Sequence, residues 1–71
     1  MRISNKIVEI NGPIVKFTQN MNISMMELVE IGENRLIGEV IKLNETTATA
    51  QVYEETSELK PGDPVFGLGA P

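Results

Sequence analysis

Cysteine, histidine and tryptophan are absent from these 71 residues, and the aromatic set amounts to two phenylalanines and one tyrosine. Without cysteine there is no disulfide and no thiol nucleophile; without histidine there is no imidazole base. The two losses together remove the usual ligands of a structural zinc site. So few aromatics leave little on which a single-stranded nucleic acid could stack. Positive charge is also scarce: six Lys and Arg against ten Asp and Glu give a net charge of −4. The cations, Arg2, Lys6, Lys16, Arg35, Lys42 and Lys60, stand singly. A nucleic-acid footprint needs them clustered to displace counterions, so nucleic acid is not an expected partner. No apolar run approaches the roughly 18 residues of a membrane span. The opening MRISNKIVEI lacks the apolar core and cleavage site of a signal peptide. A soluble domain on the cytoplasmic side, without direct membrane contact, is expected.

A chain of this length is read as one domain over residues 1–71. Such a domain buries only about 60% of its unfolded surface, so its core leaves a thin margin. With disulfides and zinc removed, the remaining aid is a neighbour, either another copy or a partner chain.

Turn signals recur at close intervals: Asn11-Gly12-Pro13, Gln19-Asn20, Gly32-Glu33-Asn34, Asn44-Glu45, Pro61-Gly62 and the stretch 67–71. Short apolar runs between them predict an all-β fold, a small closed barrel of about six strands. The clearest strand is 46–53 (TTATAQVY). Ala48, Ala50 and Val52 form one small apolar face, and Thr47, Thr49, Gln51 and Tyr53 the other. In 35–43 (RLIGEVIKL) the alternation slips at Val40-Ile41, and a bulge or bend at Gly38 would account for it. Gly12-Pro13 interrupts the first segment, since Pro13 has no N–H to give a ladder. Pro61 and Gly62 suit the centre of a type II turn, with Asp63 leading into the apolar Pro64-Val65-Phe66. Residues 21–27 hold the one stretch with any helical leaning. At most a single helical turn is expected there, capped by Asn22 or Ser24.

Nothing in the chain suggests a reaction. There is no phosphate-binding G-x-x-x-x-G-K-[ST] motif. Gly67-Leu68-Gly69 has no helix after it to hold a phosphate and reads as a turn. Glu54 and Glu55 are adjacent on a strand end, so they point apart. Glu9, Glu27, Glu30 and Glu39 lack the spacing of a calcium loop. No catalytic, cofactor-binding or metal-ligating residue is assigned. The residues singled out are structural (Gly12, Pro13, Gly38, Pro61, Gly62 and Asp63) or candidates for contact with a neighbour (Thr47, Thr49, Gln51 and Tyr53). Of these Tyr53 is the best single anchor, because tyrosine is enriched at interfaces.

Four stretches, 4–15 (SNKIVEINGPIV), 25–32 (MMELVEIG), 36–43 (LIGEVIKL) and 51–65 (QVYEETSELKPGDPV), resemble one family in order and spacing. They are similar to the N-terminal β-barrel of the catalytic A subunit of V-type and archaeal-type rotary ATPases. The resemblance covers essentially the whole chain, and its most specific part is 51–65 followed by Gly69-Ala70-Pro71. One departure is Glu58, where the family commonly has glycine. The resemblance implies a barrel that hands over, through 69–71, to a nucleotide-binding domain holding the phosphate loop, ATP and magnesium. It also implies a ring of three A and three B subunits whose barrels pack side by side. The ring's hydrolysis or synthesis of ATP is coupled to proton or sodium-ion transport. In this reading the barrel itself is not an enzyme and needs no cofactor. Barrels of a B subunit, of an F-type α or β subunit or of an export ATPase remain open alternatives. A nucleic-acid-binding OB or SH3-like barrel is the rival of a different class.

Overall fold

The computed structural model describes residues 5–20 and 23–70. Six strands, β1 (Asn5–Asn11), β2 (Ile14–Thr18), β3 (Leu28–Ile31), β4 (Leu36–Leu43), β5 (Thr47–Val52) and β6 (Pro64–Gly67), form an all-β fold. They close into an antiparallel barrel in the order β1-β2-β5-β4-β3-β6. Closure leaves no strand with a free edge, which an open sheet of this size would expose on both sides. The β1–β6 seam is the shortest ladder, pairing Asn5 with Val65 and Lys6 with Pro64. Two further bonds extend it, from Ile7 N to Asp63 O (2.9 Å) and from Gly62 N to Ile7 O (2.8 Å).

The core is the inward half of each strand. Phe17, Ile31, Val15, Val29, Val40 and Val65 are fully buried, and Ala48, Ala50 and Val52 line β5. Two alanines on one strand leave room for Phe17, whose register partner is Ala48.

Two bulges reset the alternation. The register of β4 against β5 slips between Val40 and Lys42, so Ile41 is the extra residue and turns outward. The slip noted in the sequence is therefore real, but it sits at Ile41 rather than Gly38. Gly38 pairs regularly with Val29 and Val52. Its bare Cα meets a different need: a Cβ there would lie 3.0 Å from Gln51 O and 3.1 Å from Ile31 Cδ1. The second bulge, at Val8 in β1, is offset across the barrel; there Ile7 pairs with Phe17 and Glu9 with Lys16.

Gly12 and Pro13 form the two-residue turn of the β1–β2 hairpin, with Gly12 at φ +60°. Pro61 and Gly62 are the centre of the turn closed by Asp63 N to Lys60 O (3.1 Å), and Gly62 takes the φ of +94° that the type II form demands. The helical turn expected at 21–27 is not seen in its described part. Residues 24–27 form an open-sided turn closed by Glu27 N to Ser24 O (3.2 Å), with Met26 at φ +65°. A left-handed residue cannot continue a right-handed helix. Met21 and Asn22 lie outside the described residues.

A candidate interaction surface

With Ala48, Ala50 and Val52 facing inward, the pleat of β5 directs its other residues outward. Thr47 and Thr49 are half-buried between neighbouring strands, while Gln51 and Tyr53 are exposed, Tyr53 at 59%. Register supplies their flanks. Gln51 lies between Ile14 and Glu39, Thr49 between Lys16 and Lys42, and Thr47 is beside Thr18. Lys16 reaches across to Glu9 at 3.9 Å, an exposed pair of little energetic weight. The result is one continuous outer wall over β2, β5 and β4 made of hydroxyls, an amide and mixed charge.

Tyr53 follows the last residue of β5, and its N–H reaches Ile37 O at 3.3 Å. Its hydroxyl donates to Glu39 Oε1 at 2.9 Å. That bond holds the phenol's pKa above its ordinary value, with desolvation and the charge of Glu39 acting in the same direction. The ring is thus tethered at its polar tip and open on its apolar body. Among the described residues, this wall's one hydroxyl–carboxylate pair is Tyr53 with Glu39. What it offers is hydrogen-bonding groups around one rigid aromatic, which suits contact better than reaction.

The structural residues gather differently. The Gly12-Pro13 turn and the turn 60–63 lie at one end of the barrel, where Thr56 joins the 53–63 segment to the first by donating from Oγ1 to Gly12 O (2.8 Å). Gly38 lies in the wall of the barrel. Asp63 is nearly buried; its Oδ2 accepts from Lys60 N (3.1 Å) and its Oδ1 faces Lys60 Nζ at 3.3 Å. Glu58 is exposed and keeps a negative φ, so the turn accepts it without strain. A cleft of about 450 Å³ at this end is lined by residues including Glu33, Glu55, Glu58 and Leu59. Among the described residues no three His, Cys, Asp or Glu side chains group as a metal site.

Sequence reasoning missed Glu27. This carboxylate is only 4% exposed, and it accepts from Ser24 N with Oε1 and from Gly69 N with Oε2, both at 2.8 Å. The amide of Gly67-Leu68-Gly69 that could have served an anionic ligand is therefore already bound to an anion. A charge inside the run 25–29 (MMELV) was the available signal, but its partner lies 42 residues away.

The chain belongs to the ATP synthase alpha/beta family, as its beta-barrel domain. The family's model matches residues 7–69. The V-type ATP synthase alpha chain of Halothermothrix orenii is 53% identical over 66 residues, 93% of this chain. The A subunit of the A-type ATP synthase of Metallosphaera sedula is 47% identical over the same share, and that of Saccharolobus islandicus 48% over 96%. The chain spans only 11–12% of the length of these relatives. No described helix is long and apolar enough to cross a membrane.

Proposed function

We propose that this barrel is the assembly domain of a rotary ATPase A subunit, packing beside the barrels of neighbouring A and B subunits to hold a catalytic hexamer together. The observation that carries it is closure: each strand has a partner on both sides. A neighbour cannot join such a barrel by adding a strand, so it must join through side chains on the outer wall. A ring member also needs two contact faces on roughly opposite sides. In a six-strand barrel with this order, β5 and β6 stand opposite one another. The β5 wall carries Thr47, Thr49, Gln51 and Tyr53; the β6 side carries Phe66 and the exposed Leu68. A closed ladder resists deformation, so the barrels stay together while nucleotide domains open and close below them.

In this reading the parent protein hydrolyses or synthesises ATP, coupled to proton or sodium-ion movement, on the cytoplasmic side of a membrane-attached complex. ATP and magnesium belong to a nucleotide-binding domain beyond this barrel, which binds no cofactor of its own.

One cysteine on the β5 wall, in a full-length protein whose other cysteines have been replaced, gives a direct test. Gln51→Cys, placed in the full-length protein, is expected to react with a maleimide at least about ten times more slowly in the assembled hexamer than in the lone protein, because an interface excludes water. Glu58→Cys, exposed in the 53–63 segment rather than on β5, is the control and keeps its rate. Equal rates at Gln51 in both states would remove β5 from the interface.

A further inference from the structure

Glu27 is a buried carboxylate at a three-way junction. Its main chain is joined to β4, since Val40 N donates to Glu27 O at 2.9 Å and Met26 N to Val40 O at 2.9 Å. One carboxylate oxygen closes the preceding turn through Ser24 N, and the other takes Gly69 N, beyond the last strand. Two bonds through Leu28 complete the hold on that segment, from Leu28 N to Ala70 O and from Leu68 N to Leu28 O, each 3.0 Å. Gly67 makes the approach possible. A Cβ on it would stand 2.5 Å from Glu27 Oε2 and 2.9 Å from Ile23 Cδ1.

We infer that Glu27 is a positioning residue for whatever follows the barrel, its carboxylate fixing the direction in which the polypeptide leaves. Bonds to an ionised acceptor are the stronger kind, and pulling residues 68–70 away would strip a buried charge of one of its two donors. Loop tips and chain ends are ordinarily free to pivot. Here the exit is instead locked to β3 and β4, so motion beyond residue 70 is passed to the barrel wall as a push or pull. That the next domain binds nucleotide rests on the reading above; the lock itself does not.

The test uses this chain alone, so its failure is distinct from a failure of the assembly reading. Spin labels on Lys16→Cys and Ala70→Cys report the spread of distances between the barrel wall and the exit. A narrow distribution is expected with Glu27 present, and a broad one in Glu27→Gln. The Gly69 and Leu68 amides should then exchange with solvent about tenfold faster or more. The Ile7 and Val52 amides, bonded at the opposite end to Asp63 O and Pro13 O, keep their protection. Should Glu27→Gln loosen those controls too, Gly67→Ala decides, because its Cβ would stand 2.5 Å from Glu27 Oε2 and drives the carboxylate off the exit segment. Its expected result is a broad exit on an intact barrel. An unchanged distance distribution in Gly67→Ala, or in a folded Glu27→Gln, overturns the inference.

Discussion

The turns at 24–27 and 60–63 lie at opposite ends of the barrel, and their wiring is the same. In each, the fourth residue's N–H returns to the first residue's carbonyl, at 3.2 Å in one and 3.1 Å in the other. In each, a carboxylate on the fourth residue accepts the first residue's N–H, Glu27 from Ser24 and Asp63 from Lys60. In each the third residue is left-handed, Met26 at +65° and Gly62 at +94°. They differ in what the second carboxylate oxygen does. Asp63 turns it to the ammonium of its own turn, whereas Glu27 spends it on a segment 42 residues away. One turn is self-contained and the other is a joint. The same local device can therefore serve shape at one end and connection at the other.

The comparison breaks first at the carboxylates. Glu27→Ala leaves two amide donors without their acceptor and is expected to cost about 2–4 kcal/mol, against about 1–2 kcal/mol for Asp63→Ala, whose second partner is an exposed lysine. Urea midpoints of the two variants measure the difference, and equal losses would mean that the long-range bond contributes nothing.

Backbone strain separates the turns in the opposite sense. Nothing lies within 4 Å of a Cβ added at Gly62, so Gly62→Ala should cost only the left-handed penalty of about 1–2 kcal/mol. Met26 already bears such a penalty and is 59% exposed, so Met26→Gly should raise the melting temperature, by about 0.5–1 kcal/mol in stability. A loss at Met26 would show that its side chain packs against something in the folded state.

The smallest effect is expected at a third carboxylate, the half-buried Glu39. Tyr53 is the only tyrosine, so the absorbance of its phenolate reports one group. Its hydrogen bond to Glu39 favours the neutral phenol, so the midpoint should lie above about 10 and return to that value in Glu39→Gln. The sign follows from linkage: the folded chain holds this proton more tightly than the unfolded one. The contribution is complete below about pH 10 and fades as pH rises through the raised value. An unchanged midpoint in the variant would mean that the Tyr53–Glu39 bond is not populated in solution.

These residues also explain how much the sequence disclosed. Pro61-Gly62 was legible because proline and glycine each single out one backbone geometry. The alternation of 47–53 was legible because small apolar residues every second position leave one way to face a core. The slip at Val40-Ile41 was visible but pinned to Gly38, the conventional mark of a bend, whereas an outward-turned isoleucine leaves no mark. Met26 concealed a left-handed turn behind a helix-favouring residue, since tertiary contact, in the bonds of Glu27 to Val40 and Gly69, overrides local preference. The outward direction of the β5 wall could be read from its pattern. What that wall touches in the proposed assembly would be a property of two chains, so one chain's sequence holds only half of it.

The proposed assembly role is tested most directly by deleting this barrel from the full-length protein, then weighing the complex formed with the proposed B-type partner. Loss of the hexamer in favour of single proteins and pairs is expected. A barrel-deleted protein that still yields an intact six-member ring of normal stability and hydrolysis rate would contradict it.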